Sequence, residues 1–174
     1  MRNLMLIALV VLGSLGTTFG QTTIAHVDSQ KVLDTMPSRK QAMQELDNFE
    51  DKAVKELQET QQKLQDDYNK LQQEKNTMSP TAARFEEERL MRKSQEFQMR
   101  QEELDRQMKV LGQELNAPIL ERIQSAVEKV SKSLKIDYVL DTSSLLYSAG
   151  KDITDLVIKE VLKMEQEATV KTEK

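Results

Sequence analysis

Two runs of apolar residues at seven-residue spacing, Leu57, Leu64, Leu71 and Met78 and then Leu90, Phe97, Leu104 and Leu111, lie in densely charged sequence and are separated by Ser79-Pro80. Residues seven apart fall on one stripe of a helix, and a thin apolar stripe on a charged helix has to be covered by another helix. The nearest cover for each run is the other run. Ser79 and Pro80 read as the N-cap and first position of a new helix, which leaves room only for a short turn. The pattern predicts a long antiparallel helical hairpin over residues 38–117 with its tip near 76–80. At about 1.5 Å per residue, an arm of about forty residues reaches roughly 60 Å, further than a small domain is wide.

The hairpin differs in kind from the sequence around it. Residues 38–117 contain 24 hydrophobic residues in 80, enough for a seam, whereas residues 21–37 and 118–174 together contain 30 in 74, enough for a core. Ile24 to Asp28 alternates as a short strand with Ala25 and Val27 on one face. One or two helical turns from Ser29 through Met36 follow, interrupted by Pro37. Beyond the hairpin, Ile119, Ile123, Ala126 or Val127, Val130 and Leu134 form a helical stripe. Strands are expected near 136–141 and 144–148, with a turn at Ala149-Gly150-Lys151. Asp152 is then expected to cap a last helix near 153–165, carrying Ile153, Leu156, Val157, Val161, Leu162 and Met164. Residues beyond Glu165 are expected to fray. Pro118 is expected to kink or restart the helix where arm meets body.

The three strand candidates are separated by the whole hairpin, so the ends must meet in space for one sheet to form. A body of about 74 residues buries little surface, and a three-stranded sheet leaves two open edges. These constraints predict a homo-oligomer assembled through the strands, with Ile24, Val27, Tyr138, Leu140, Leu145 and Tyr147 as its interface residues and the hairpins projecting from it.

Several classes of function are excluded by what the chain lacks. Arg2, the apolar stretch Leu4 to Leu12 and the small and polar residues ending at Gly20 read as a secretory signal peptide over residues 1–20, cleaved after Gly20. Without it the chain carries 24 Lys plus Arg against 29 Asp plus Glu, which is not the basic balance of a nucleic-acid reader. There is no cysteine, so neither a disulfide framework nor a lipid-attached cysteine is possible, and no later segment is apolar enough to span a bilayer. Beyond residue 20 the only glycines are Gly112 and Gly150, too few for a phosphate-cradling loop. His26 is the single histidine, which removes His- or Cys-based zinc sites and most nucleophile–base pairs. The carboxylates are spread over solvated helical faces. No enzyme, cofactor or metal is expected, and His26 carries no functional assignment.

The arm itself is the candidate working surface. Its alternate seam positions are often polar, for example Thr60 or Gln61, and Gln101. Further apolar groups occupy adjoining positions, among them Tyr68, Phe85, Met91, Met99 and Met108. Methionine is flexible and polarizable and serves surfaces that must accept many apolar partners. Together with Phe49, Met78 and Phe97, these residues are the expected client-binding surface of the arm.

The two ends carry a family resemblance. Ile24-Ala25-His26-Val27-Asp28 with Val32-Leu33 resembles the N-terminal strand and short helix of the Skp/OmpH family of periplasmic chaperones. Arg122-Ile123-Gln124-Ser125-Ala126-Val127 through Ile136-Asp137-Tyr138-Val139-Leu140-Asp141, then Leu146-Tyr147 and Asp152-Ile153-Thr154, resembles its C-terminal signature. The central hairpin matches in length, position and periodicity. The resemblance implies an α+β, mostly helical protein that forms a homotrimer, with a small β-barrel-type body and three helical tentacles. It further implies a periplasmic holdase that shelters unfolded outer-membrane proteins between the arms without ATP. The sequence departs from the family's basic character, because residues 38–117 carry 14 positive and 17 negative charges. A lipopolysaccharide- or membrane-binding role is therefore not carried over. The competing expectation is a structural or adaptor coiled coil of the cell envelope that docks on one folded partner.

Overall fold

The computed structural model describes residues 22–172, with side chains described through residue 168; the expected signal peptide lies outside the described residues. The elements run β1 (Ile24–Val27), α1 (Ser29–Thr35), α2 (Pro37–Glu74), α3 (Pro80–Leu134), β2 (Tyr138–Asp141), a 3₁₀ turn (Thr142–Ser144), β3 (Lys151–Asp152) and α4 (Thr154–Thr172).

Helices α2 and α3 form the hairpin. Lys75 closes α2 by donating to the Leu71 carbonyl, and Thr77 donates to the Glu74 carbonyl through both its backbone N–H and its hydroxyl. The reversal ends at Ser79, whose hydroxyl accepts from the Ala82 N–H at 3.2 Å, with Pro80 opening α3. Each terminus thus has partners for its otherwise orphaned backbone groups.

Helix α3 is longer than expected, because it does not restart at Pro118. It continues for 55 residues, roughly 80 Å, with Pro118 inside it. Pro118 removes one donor from the ladder, while nearby the Asn116 side chain donates to the Gly112 carbonyl at 2.7 Å. The second half of α3 belongs to the body, where Ile119, Ile123, Ala126 and Val130 are buried at helical spacing. The helix ends at Lys135, in left-handed conformation at φ 55°, with Ile136 donating to the Ser131 carbonyl and Lys135 to that of Lys132. This is a Schellman closure with a buried residue, Ile136, just beyond it.

The sheet has the order β2-β1-β3, and both pairings are parallel. Ile24 faces Tyr138 and Val27 faces Asp141 on one side of β1, while Ala25 faces Lys151 and His26 faces Asp152 on the other. The strand expected near 144–148 is not one. Asp141 accepts from the Ser143 N–H at 2.7 Å and winds residues 142–144 into the 3₁₀ turn. The remaining side of β1 is taken by Lys151 and Asp152, and residues 145–148 pair with no strand. Helix α4 also outruns its expected end at 165 and reaches Thr172. Asp152 acts one residue before the helix-capping position, accepting from the Thr154 N–H at 2.8 Å.

The core joins both ends of the chain. Ala25 and Val27 of β1, Val32 of α1, Met36, the α3 stripe and Ile153, Val157 and Val161 at or near the start of α4 form one buried cluster. Ile153, Val157 and Val161 are spaced four apart and fully buried, as a helix covering a sheet requires. Thr23 accepts through its carbonyl from the Asp137 and Tyr138 N–H groups, and the Ile153 N–H donates to the His26 carbonyl. These bonds tie residues more than a hundred positions apart in the sequence.

Candidate functional site

The arm is held by an apolar seam and by ion pairs crossing from helix to helix. Leu71, Ala83, Leu90 and Leu104 are buried, and Leu57, Leu64, Phe97, Met108 and Leu111 are half-buried. Nearer the body, a side chain added at Gly112 would stand 4.0 Å from Leu46, so the helices pack closely there too. Across the seam Glu56 pairs with Arg100, Asp67 with Arg89 and Lys93, and Lys75 with Glu87. Partner numbers fall on one helix as they rise on the other, as antiparallel packing requires. These pairs were not evident from either helix alone, since they depend on the register between them.

The ion pairs shift the carboxylates they engage. Hydrogen bonding from Arg100 holds the Glu56 carboxyl below its ordinary value, and Lys93 does the same for Asp67. Both groups are at the surface, so solvent and salt weaken the pairs.

The two sides of the arm differ in chemistry. On one side Gln61, Gln65, Tyr68 and Gln72 of α2 face Met91 and Gln98 of α3 across an open groove with Leu64, Leu71, Leu90 and Phe97 at its walls. Glu87 is the one charged residue of its lining, and Lys75 holds it at 2.6 Å. On the other side a smaller groove is lined by Lys63, Lys93, Glu96 and Arg100 beside Thr60.

The expected client-binding residues therefore do not form one surface. Tyr68 and Met91 are exposed along the uncharged groove, and Phe97 lies half-buried between the two grooves. Phe49, Met78 and Met108 are half-buried. Phe85 and Met99 are exposed but line neither groove. Gln61 and Gln101, expected from sequence as polar gaps in the seam, line this groove together with Gln65, Gln72 and Gln98.

On the body, Ile24, Tyr138, Leu140 and Tyr147 are exposed and Leu145 is half-buried, whereas Val27 is committed to the chain's own core. Ile24 and Tyr138 are register partners and Leu140 is two residues on, so all three stand on the sheet face opposite Ala25 and Val27. His26 is also buried on that face, beside Gly150, with Nδ1 3.9 Å from Asp152. At the junction of arm and body, Arg122 of α3 donates to Glu165 of α4 at 3.0 Å and to Ser38 of α2 at 3.3 Å. Glu165 is buried there, so the root of the arm is fixed to α4 by a charge pair shielded from water.

A small α+β body bears one long antiparallel helical arm, with an open apolar and amide groove between the arm's helices. The chain belongs to the OmpH-like outer membrane protein family, whose model matches residues 23–161. It is 30% identical over 139 residues to the chaperone protein Skp of Photorhabdus laumondii, covering 79% of this chain and 84% of that one. It is 28% identical over 153 residues to the Skp of Pectobacterium atrosepticum, covering 87% and 93%. A crystal structure of an OmpH-like protein from Caulobacter crescentus superimposes with a TM-score of 0.72 at 16% identity, covering 82% of this chain and 85% of that one, which shows the shared fold. The named relatives are chaperones, a family without enzymatic activity. Among the described residues no helix is long and apolar enough to cross a membrane.

Proposed function

We propose that this protein is a periplasmic chaperone of outer-membrane proteins that holds its clients unfolded without ATP, as a homotrimer with the client between the arms. The observation that carries the reading is the arm, a projecting hairpin whose inter-helix groove is left open to solvent with apolar walls. Membership in the OmpH-like family, with relatives named Skp chaperones, supports it.

The assembly rests on the body. Ile24, Tyr138 and Leu140 make an uncovered apolar sheet face, and Leu146 and Tyr147 beyond the 3₁₀ turn are almost wholly exposed. Apolar groups so concentrated on a small domain mark an interface. The open outer edges of β2 and β3 provide the hydrogen-bonding groups through which copies would close a barrel-type body.

The mechanism is shielding. Unfolded barrel strands aggregate by pairing their exposed edges and burying their apolar faces against one another. Many weak contacts to the arms interrupt this while leaving the client mobile, and no chemical step is needed. A crosslinked pull-down from an envelope extract tests the reading. Recovery of several unrelated outer-membrane proteins is expected; a single folded partner in one tight complex would instead mark an adaptor.

A further inference from the structure

Resting on the holdase reading, we infer that the arm holds its client on the uncharged side alone, and that it does so largely through the client's main chain. Gln61, Gln65, Tyr68 and Gln72 recur at spacings of four, three and four residues, so they stand on one face of α2. Gln98 and Gln101 join them from α3 across the same groove. The Gln61, Gln72, Gln98 and Gln101 amides make no hydrogen bond within the chain among the described residues, and Gln65 uses only its N–H₂, donated to Asn69 at 3.1 Å. Of the charged residues lining the opposite side, Arg100 is held by Glu56 and Lys93 by Asp67, while Lys63 and Glu96 stand unpaired among the described residues.

A row of neutral amides suits one occupant in particular. Every residue of an extended client offers a backbone N–H and a C=O, whatever its side chain, and a glutamine amide carries both complementary groups. A charged client segment would gain little from a groove whose one charged lining residue, Glu87, is already paired with Lys75, and would lose hydration. The occupant is therefore an uncharged, extended segment, its peptide groups on the glutamines and its apolar side chains on Leu64, Leu71, Leu90 and Phe97. From Gln61 to Gln72 the helix advances roughly 17 Å, the length of about five residues of extended chain. Each segment so held has the hydrogen-bonding groups occupied that would otherwise pair with a second strand.

Replacing Gln61, Gln65, Gln72, Gln98 and Gln101 together by alanine removes the amides, keeps the apolar walls and raises helix propensity, so the arm survives. Far-UV circular dichroism checks that it has. The readout is the concentration of full mature protein that halves the aggregation of a urea-unfolded outer-membrane barrel protein on dilution. It is expected to rise about fivefold, as the loss of several weak hydrogen bonds implies. A control altered on the charged side, Lys63→Gln with Glu96→Gln, is expected to stay within about twofold, because exposed charges add little. For the unaltered protein the value is expected to hold steady from about 50 to about 500 mM salt, conditions that screen surface charge. An alanine variant as effective as the original, or more so, would show that apolar contact alone holds the client; a control that fails as badly, or capture abolished by salt, would show that charge does. If the unaltered protein does not suppress aggregation at all, the holdase reading itself has failed and this inference with it.

Discussion

Arg100 grips Glu56 across the middle of the arm with two parallel hydrogen bonds, Nε to Oε1 at 2.6 Å and Nη2 to Oε2 at 3.1 Å, and reaches Glu103 of its own helix with Nη1 at 3.0 Å. A planar fork of this kind fixes register as well as distance, which a lysine cannot do. With the Asp67 and Lys75 pairs it ties α2 to α3 beside the half-polar seam.

Acid is expected to loosen the arm before the body. Arg100 and Lys93 depress the Glu56 and Asp67 carboxyls in the folded arm, so the stabilisation is present above their ordinary values and is lost as pH falls through the depressed ones. Backbone amide exchange across residues 52–70 and 89–104, corrected for its intrinsic pH dependence, is expected to rise between about pH 5 and about pH 3. Arg100→Lys is expected to shift the onset to higher pH. Arm and body loosening together at one pH would mean that these pairs do not govern the arm.

Core and seam substitutions should separate assembly from arm order. Ile153→Ala, at a fully buried position where the β3 edge meets α4, is expected to cost about 3 kcal/mol and to weaken the oligomer, because the sheet and helix it joins carry the interface residues. Leu90→Ala is expected to cost about 2 kcal/mol within a seam that relaxes more easily, leaving the oligomer intact. Chemical denaturation with sedimentation measures both. Dissociation caused by Leu90→Ala alone would place assembly contacts on the arm.

Lys135 closes α3 in a left-handed conformation that glycine adopts without strain. Lys135→Gly is expected to raise stability by about 1 kcal/mol, read as an increase in the denaturation midpoint, since the Schellman bonds from Lys135 and Ile136 are backbone bonds that the substitution keeps. A lower midpoint would mean that the lysine side chain contributes something the closure needs.

The hairpin was legible in the sequence because its signal repeats: four apolar residues on each side of Ser79-Pro80 leave one economical packing. The core stripe of α3 from Ile119 to Val130 and the strand Ile24 to Val27 were legible for the same reason of period. The third strand was not. Lys151 and Asp152 are two exposed polar residues with no strand pattern of their own, yet they pair with β1, while Leu145, Leu146 and Tyr147 look like a strand and pair with none. At Pro118 the helix runs on without a restart, held by the buried residues that follow it, Ile119 and Ile123. The uncharged groove was hidden for a different reason: a glutamine in a charged helix carries no signal until the facing helix sets which side it shares with Tyr68 and Met91.

The most direct test of the account is light scattering by an unfolded outer-membrane barrel protein diluted from urea into purified mature protein. Suppression is expected at about one trimer per client, and replacing Met91 and Phe97, which line the groove, by serine is expected to weaken it by removing apolar surface from the arm. A protein that assembles as a trimer yet leaves the scattering unchanged would contradict the account.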